Sequence, residues 1–247
     1  MFHMPSLKSI IAAVLARTGG VGKTSTAVSV ASVAAAAGQD VVVVDLDPQS
    51  SASAALGVDP VAVGSAEWLQ GGEPAFQCPQ PGLRVLAGGP NLEILQRIDP
   101  TTLLQRSHTL GADLVVLDTA PGASALSRAA MSVADIALVM SIPHPLALTG
   151  ATSILAGLRP DQRRVLVLSR VDHRRRLHRD ICAGAASVLG VDVLTVRMDV
   201  LYERALAEGR PIAVGFPCRR AYSDIAAIYS WMFPDTAMSE ELAGGEE

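Results

Sequence analysis

The stretch Thr18-Gly19-Gly20-Val21-Gly22-Lys23-Thr24 carries the clearest chemistry in this chain. It follows the apolar run Ile10 to Ala16 and opens a helical pattern at Lys23. Strand, glycine-rich turn, Lys-Thr and helix is the layout of a phosphate-binding loop. The glycines let successive backbone N–H groups curl around a polyphosphate, and the helix N-terminus adds partial positive charge. The lysine reaches the β- and γ-phosphates and the threonine hydroxyl reaches Mg²⁺. The expected ligand is ATP or GTP, held by Gly19, Gly20, Val21, Gly22, Lys23, Thr24 and Ser25, with Lys23 also a catalytic cation.

Carboxylates complete this pattern. Val41-Val42-Val43-Val44-Asp45-Leu46-Asp47-Pro48-Gln49 reads as a buried strand ending in acids. Strand alternation puts Asp45 and Asp47 on one side, facing the phosphate loop. Leu114-Val115-Val116-Leu117-Asp118 ends in the same way and runs into Thr119-Ala120-Pro121-Gly122. A carboxylate at the rim of a dry strand is what organises Mg²⁺, commonly through water. Thr24, Asp45 and Asp118 are therefore the expected metal residues. A lone aspartate of this kind is more often a helix cap or turn residue, but several of them at strand ends after a phosphate loop favour a site.

The elements that must hold these residues alternate. Strands are expected at 10–16, 41–46, 83–87, 113–118, 136–141, 164–169 and 191–196, and helices at 23–37, 101–110, 124–134, 146–158, 177–189, 200–208 and 219–231. The alternation predicts an α/β fold, a doubly wound and mostly parallel sheet with helices on both faces and the ligand at the carboxyl ends of the strands. The Gly-, Pro- and Gln-rich segment 57–82 reads as loop with a short helix around Trp68. Residues 1–9 read as an N-terminal extension, 10–232 as a single nucleotide-binding domain, and 233–247 as an acidic, disordered tail.

Composition agrees. Of 247 residues, 49% are hydrophobic and 4% aromatic, so the core must be built from Ala, Val, Leu and Ile. The apolar runs are far shorter than the roughly 20 residues that span a bilayer, and a cytoplasmic protein is expected. Cys78, Cys182 and Cys218 form no C-x-x-C pair and read as reduced thiols. Trp68 and Trp231 read as packing anchors and His144 as a loop residue. The net charge of −4 hides a basic segment, 159–179, whose densest run is His173-Arg174-Arg175-Arg176-Leu177-His178-Arg179. Of the 20 basic Lys and Arg residues, only Lys8 and Lys23 are lysine.

The loop departs from the ordinary G-x-x-x-x-G-K-[ST] pattern, because Arg17 stands where the first glycine belongs. It resembles the deviant form K-G-G-x-G-K-[ST] of the ParA/MinD ATPases. The resemblance runs from about residue 9 to 231. Asp45-Leu46-Asp47-Pro48-Gln49 is similar to the family's switch I, and the resemblance gives Asp47 the role of positioning the attacking water. Asp118-Thr119-Ala120-Pro121 is similar to switch II. Glu203-Arg204-Ala205 with Gly209-Arg210-Pro211-Ile212 is similar to the tail of small ParA proteins and implies that Pro211 packs near the base. The family implies ATP or ADP with Mg²⁺, a homodimer that closes on ATP, a ParB-like or cargo-adaptor partner, and nonspecific DNA binding at the nucleoid. Arg174, Arg175, Arg176, Arg179, Arg219 and Arg220 are the expected phosphate-contacting residues. The acidic chain end, interrupted by Pro234, argues against a membrane-binding helix.

Two departures stand out. The family's signature lysine is replaced by Thr18, and beyond Lys23 the chain has no lysine to substitute. Arg17 and Arg128 are the expected replacements, since a guanidinium suits phosphate. Thr18 carries no charge, so hydrolysis is expected to be slow or absent. In Ser169-Arg170-Val171-Asp172, serine stands where the family has the asparagine that reads adenine. Ser169 and Arg170 are expected at the base, with a weakened preference for adenine. Two other readings are open: a metabolic enzyme of the dethiobiotin synthetase or cobyrinic-acid amidase kind, and a non-hydrolysing nucleotide-bound scaffold.

Overall fold

A run of four valines, Val41 to Val44, has no solvent exposure on any residue. A strand covered on both faces buries consecutive β-branched residues in this way. The computed structural model describes residues 9–59, 63–95, 98–210 and 220–235 and places this run inside an eight-stranded sheet. The strands are β1 (Ile10–Leu15), β2 (Val41–Leu46), β3 (Phe76–Gln80), β4 (Leu83–Leu86), β5 (Leu114–Thr119), β6 (Ile136–Ser141), β7 (Arg163–Val171) and β8 (Asp192–Arg197). Their spatial order is β3-β4-β2-β5-β1-β6-β7-β8. All pairs are parallel except β3 with β4.

The helices are α1 (Lys23–Ala36), α2 (Ser51–Ala55), α3 (Ser65–Leu69), α4 (Pro100–His108), α5 (Ala125–Val133), α6 (Pro145–Gly157), α7 (Arg176–Leu189), α8 (Val200–Ala207) and α9 (Arg220–Met232). Helix α1 is built from Ala, Val, Ser and Thr and is buried nearly all round. Its small side chains let it lie close on the sheet while α9 packs over its outer side. One apolar core joins α1, α2 and α9 to this face of the sheet, and a second joins α3 to α7 to the other. Each fully buried Val or Leu in these cores contributes roughly 1.5–3 kcal/mol. Trp68 anchors the second core without exposure.

The expected strands are all present. The segment 57–82 departs from expectation, since it supplies β3 as well as the short helix around Trp68. The strand sits at the sheet edge, where its register slips between Gln77 and Gln80, and this slip accommodates Pro79. Helix α2 is a second addition.

The topology decides where a ligand binds. Strand β1 lies between β5 and β6. From β1 the chain runs outward to β2 and β4, returns through β5, and then crosses to β6, β7 and β8. Connections diverge at the carboxyl end of β1, which opens the crevice where doubly wound sheets take their ligands.

Candidate nucleotide site

The loop that leaves β1 turns twice through the left-handed region, at Gly20 and Gly22, both with φ of 73°. A side chain at either position would be strained, which accounts for glycine there. Gly22 caps α1 and aims the N-terminal N–H groups of that helix into the crevice. The following side chains converge on one acid. Lys23 Nζ lies 2.9 Å from Asp118 Oδ1, and Thr24 Oγ1 donates to Asp118 Oδ2 at 2.8 Å. Asp118 is fully buried at the end of β5. Burial pushes its pKa up, and the Lys23 ammonium opposes this.

Asp45 and Asp47 do not share a role. Asp45 is still within β2 and opposite Asp118 in the register. Its Oδ1 accepts from the Asp47 N–H at 3.0 Å, and its Oδ2 accepts from the Ser53 N–H and hydroxyl at 2.9 and 2.8 Å. It has no exposure, and burial, reinforced by the Asp118 charge, pushes its pKa up to about 6. The expected metal role for Asp45 is therefore corrected: its oxygens are spent on the α2 turn. Asp47 lies past the end of the strand, free of the alternation, and lines the cleft. Its Oδ1 accepts from the Gln49 N–H at 3.0 Å.

The cleft measures about 590 Å³ and takes in loop residues Thr18 to Gly20 and Gly22 to Ser25, together with Asp47 and Arg170. Val21 is buried beneath the loop. Gln49, Ser51, Ala54, Ala55, Pro121 and Leu206 also line the cleft, and sequence reasoning assigned none of them a role. Gln49 and Pro121 lie within the acid-bearing runs and Leu206 within the 203–212 stretch, so a signal was present for those three.

Ser169 is a second correction. It is buried, and its hydroxyl donates to the Val21 carbonyl at 2.6 Å, with the Ser141 carbonyl at 3.2 Å. Its one donor is committed to the phosphate loop and does not face the cleft. The expected replacement cations do not line this cleft in their own chain. Arg17 is exposed but does not line the cleft, and its Cβ lies so near Gly150 on α6 that a Cβ there would come within 2.8 Å of it. Arg128 donates to the Ala123 carbonyl, also outside the cleft. Pro211 and Arg219 lie outside the described residues.

The residues fit a hard divalent cation. The Thr24 hydroxyl and Asp118 carboxylate are adjacent oxygen donors, and Asp47 lines the same cleft. Among the described residues no cluster of three or more His, Cys, Asp or Glu forms an all-protein metal cage. Mg²⁺ needs no such cage, since it is held by one or two side chains with water and phosphate completing the shell.

A basic surface begins beside this cleft. Arg174, Arg175, Arg176 and Arg179 are exposed between β7 and the first turns of α7, and Arg220 is exposed at the start of α9. Arg174 pairs with Asp172 at 3.0 Å and Arg176 with Asp180 at 3.5 Å. Arg179 donates to the carbonyls of His173 and Arg174. His178 is buried beneath, and its Nδ1 accepts from the Asp172 N–H at 3.1 Å. The Arg197–Asp224 pair, at 2.7 Å, fixes the start of α9 at the same edge of the sheet. No helix among the described residues is long and apolar enough to cross a membrane.

A parallel sheet with a glycine-rich loop and Lys-Thr gathered on a strand-end aspartate defines a P-loop nucleotide-binding protein. Residues 12–212 match the CobQ/CobB/MinD/ParA nucleotide binding domain family, and the chain belongs to that family. It is 37% identical over 145 residues to the chromosome-partitioning ATPase Soj of Thermus thermophilus, a match spanning 57% of this chain and 57% of Soj. It is 26% identical over 232 residues to the chromosome partitioning protein ParA of Caulobacter vibrioides, covering 82% of this chain and 85% of that one. The fold matches the septum site-determining protein MinD complexed with Mg-ADP from Pyrococcus horikoshii. The TM-score is 0.79 at 22% identity, over 96% of this chain and 98% of that one.

Proposed function

We propose that the chain is a ParA-type ATPase that works as a nucleotide-dependent switch in partition or cargo positioning. The convergence of Lys23 and Thr24 on Asp118, at the mouth of a loop with left-handed glycines, carries this reading. The loop N–H groups and Lys23 bind the phosphates of ATP or ADP. Thr24 and Asp118 hold Mg²⁺, which when bound offsets phosphate charge. Asp47, on the cleft wall, orients the attacking water. Thr18 also lines the cleft but carries no charge, so turnover is slow.

Closure around ATP brings two copies together. The exposed arginines Arg174, Arg175, Arg176, Arg179 and Arg220 then contact DNA phosphates without reading bases, and this holds the protein at the nucleoid within the cytoplasm. A ParB-like protein or cargo adaptor stimulates release. The two nucleotide states differ in DNA affinity, and that difference makes ATP a switch. ATP-dependent retention on nonspecific duplex DNA, compared between wild type and Lys23→Ala, tests this reading. Retention with ATP that disappears in the variant supports it, and retention indifferent to both nucleotide and Lys23 refutes it.

A non-hydrolysing scaffold is the second reading, favoured by Thr18 alone. It predicts tight nucleotide binding with no turnover, unchanged by Asp47→Ala.

A further inference from the structure

Arg170 stands in an unusual place for a strand residue. Its φ is +54°, and among the described residues only Ser50 shares a left-handed backbone without being glycine. That conformation costs a non-glycine residue roughly 1–2 kcal/mol, and such strain persists where the surroundings enforce it. Here the surroundings are visible. The register of β7 against β8 shifts between Leu168 and Val171, and Ser169 is pinned to the Val21 carbonyl at 2.6 Å. Regular alternation would send Arg170 to the face that holds Leu166 and Leu168 in the core. The irregularity instead sets it, exposed, on the wall of the nucleotide cleft, which Asp47 and Ser51 also line.

Charge sharpens the point. Lys23 and Arg170 are the basic residues lining the cleft among the described residues. Lys23 is paired with Asp118 at 2.9 Å. The Arg170 side chain has no hydrogen bond or ion pair among the described residues, whereas nearby Arg174, Arg176 and Arg179 all have partners. A free guanidinium held by a strained backbone at a phosphate cleft is placed for a bidentate contact with phosphate oxygens.

We propose that Arg170 is the second phosphate-binding cation of this site, contributed by the same chain and supplying charge that Thr18 lacks. The proposal rests on the nucleotide-binding reading above and names a residue that reading does not require. Equilibrium titration of Mg²⁺ with methylanthraniloyl-ATP, competed by ATP and by AMP, tests it on wild type, Arg170→Asn, Arg170→Lys and Lys23→Ala. Asparagine tolerates the left-handed backbone, so Arg170→Asn removes the charge without forcing the fold. The expected result is an ATP affinity about tenfold to a hundredfold weaker in Arg170→Asn, partly restored in Arg170→Lys, with AMP affinity changed less. Wild-type ATP affinity in Arg170→Asn, alongside a loss in Lys23→Ala, overturns this proposal alone. Equal losses for ATP and AMP also overturn it, since the guanidinium would then be stacking on the base. No nucleotide binding by wild type overturns the nucleotide reading and this proposal with it.

Discussion

The hydroxyl of Ser169 donates to the carbonyl of Val21 at 2.6 Å, joining the end of β7 to the floor of the phosphate loop. Ser169 and the loop are 148 residues apart in sequence, yet the bond is buried. It makes the shape of the loop depend on a strand two places from β1 in the sheet. Ser169→Ala leaves the Val21 carbonyl without that partner, and a stability loss of about 1–3 kcal/mol is expected in chemical denaturation. ATP and GTP affinity should fall together, because the backbone cradle is disturbed and the base is not. A selective loss of ATP would point instead to base recognition by Ser169.

Gly88 packs directly against the acids of the β2–α2 turn. A Cβ there would come within 2.7 Å of the Asp47 carbonyl and 2.8 Å of the Asp45 Cγ. The Gly88 N–H also donates to Ser53 Oγ, whose hydroxyl serves Asp45. Gly88→Ala must therefore displace this turn, at a cost of about 1–3 kcal/mol. Turnover should drop severalfold while nucleotide affinity changes little, since Asp47 moves and the loop after β1 does not. Steady-state kinetics beside equilibrium titration separates the two effects.

The arginine loop carries a pH-sensitive support. His178 is held below its ordinary pKa by burial and then by the Arg175 charge, and its neutral Nδ1 accepts the Asp172 N–H. A lowered histidine pKa means that the unfolded chain binds the proton first. The stabilisation is complete above the unfolded value near 6.5 and is lost as pH falls through the folded value. Denaturation midpoints measured from pH 8 to pH 5 should decline in this window. His178→Gln, which can accept the same N–H without titrating, should flatten that part of the profile.

Arg175 and Arg220 are exposed, and neither side chain has an ion pair among the described residues. Their charges are available to DNA without breaking a bond, unlike Arg174 and Arg176. Arg175→Ala and Arg220→Ala should each weaken ATP-dependent binding to any duplex equally and lower the salt slope by about 1. Fluorescence anisotropy over a salt series reads both.

Much of the fold was legible because buried parallel strands advertise themselves as unbroken apolar runs, as Val41 to Val44 and Leu114 to Leu117 do. The phosphate loop was legible because only glycine serves its turns. Strand β3 was hidden, since Pro79 and a register slip erase its alternation. Helix α2 was hidden because Ser51-Ala52-Ser53-Ala54-Ala55 has too little apolar contrast to show a period. Side-chain commitments were the least legible. Asp45 and Ser169 have the right types for ligand contacts, but Ser53, eight residues from Asp45, and Val21, 148 residues from Ser169, occupy them. Arg17 adjoins the loop in sequence, and Arg170 reaches the cleft through an irregularity that no spacing rule foretells.

The most direct test of the nucleotide switch is Mg²⁺-dependent ATP turnover by wild type, Thr18→Lys and Lys23→Ala, with and without nonspecific duplex DNA. The account predicts slow wild-type turnover that DNA raises, faster turnover in Thr18→Lys, and none in Lys23→Ala. Wild-type turnover that is absent, or that survives Lys23→Ala unchanged, would contradict it.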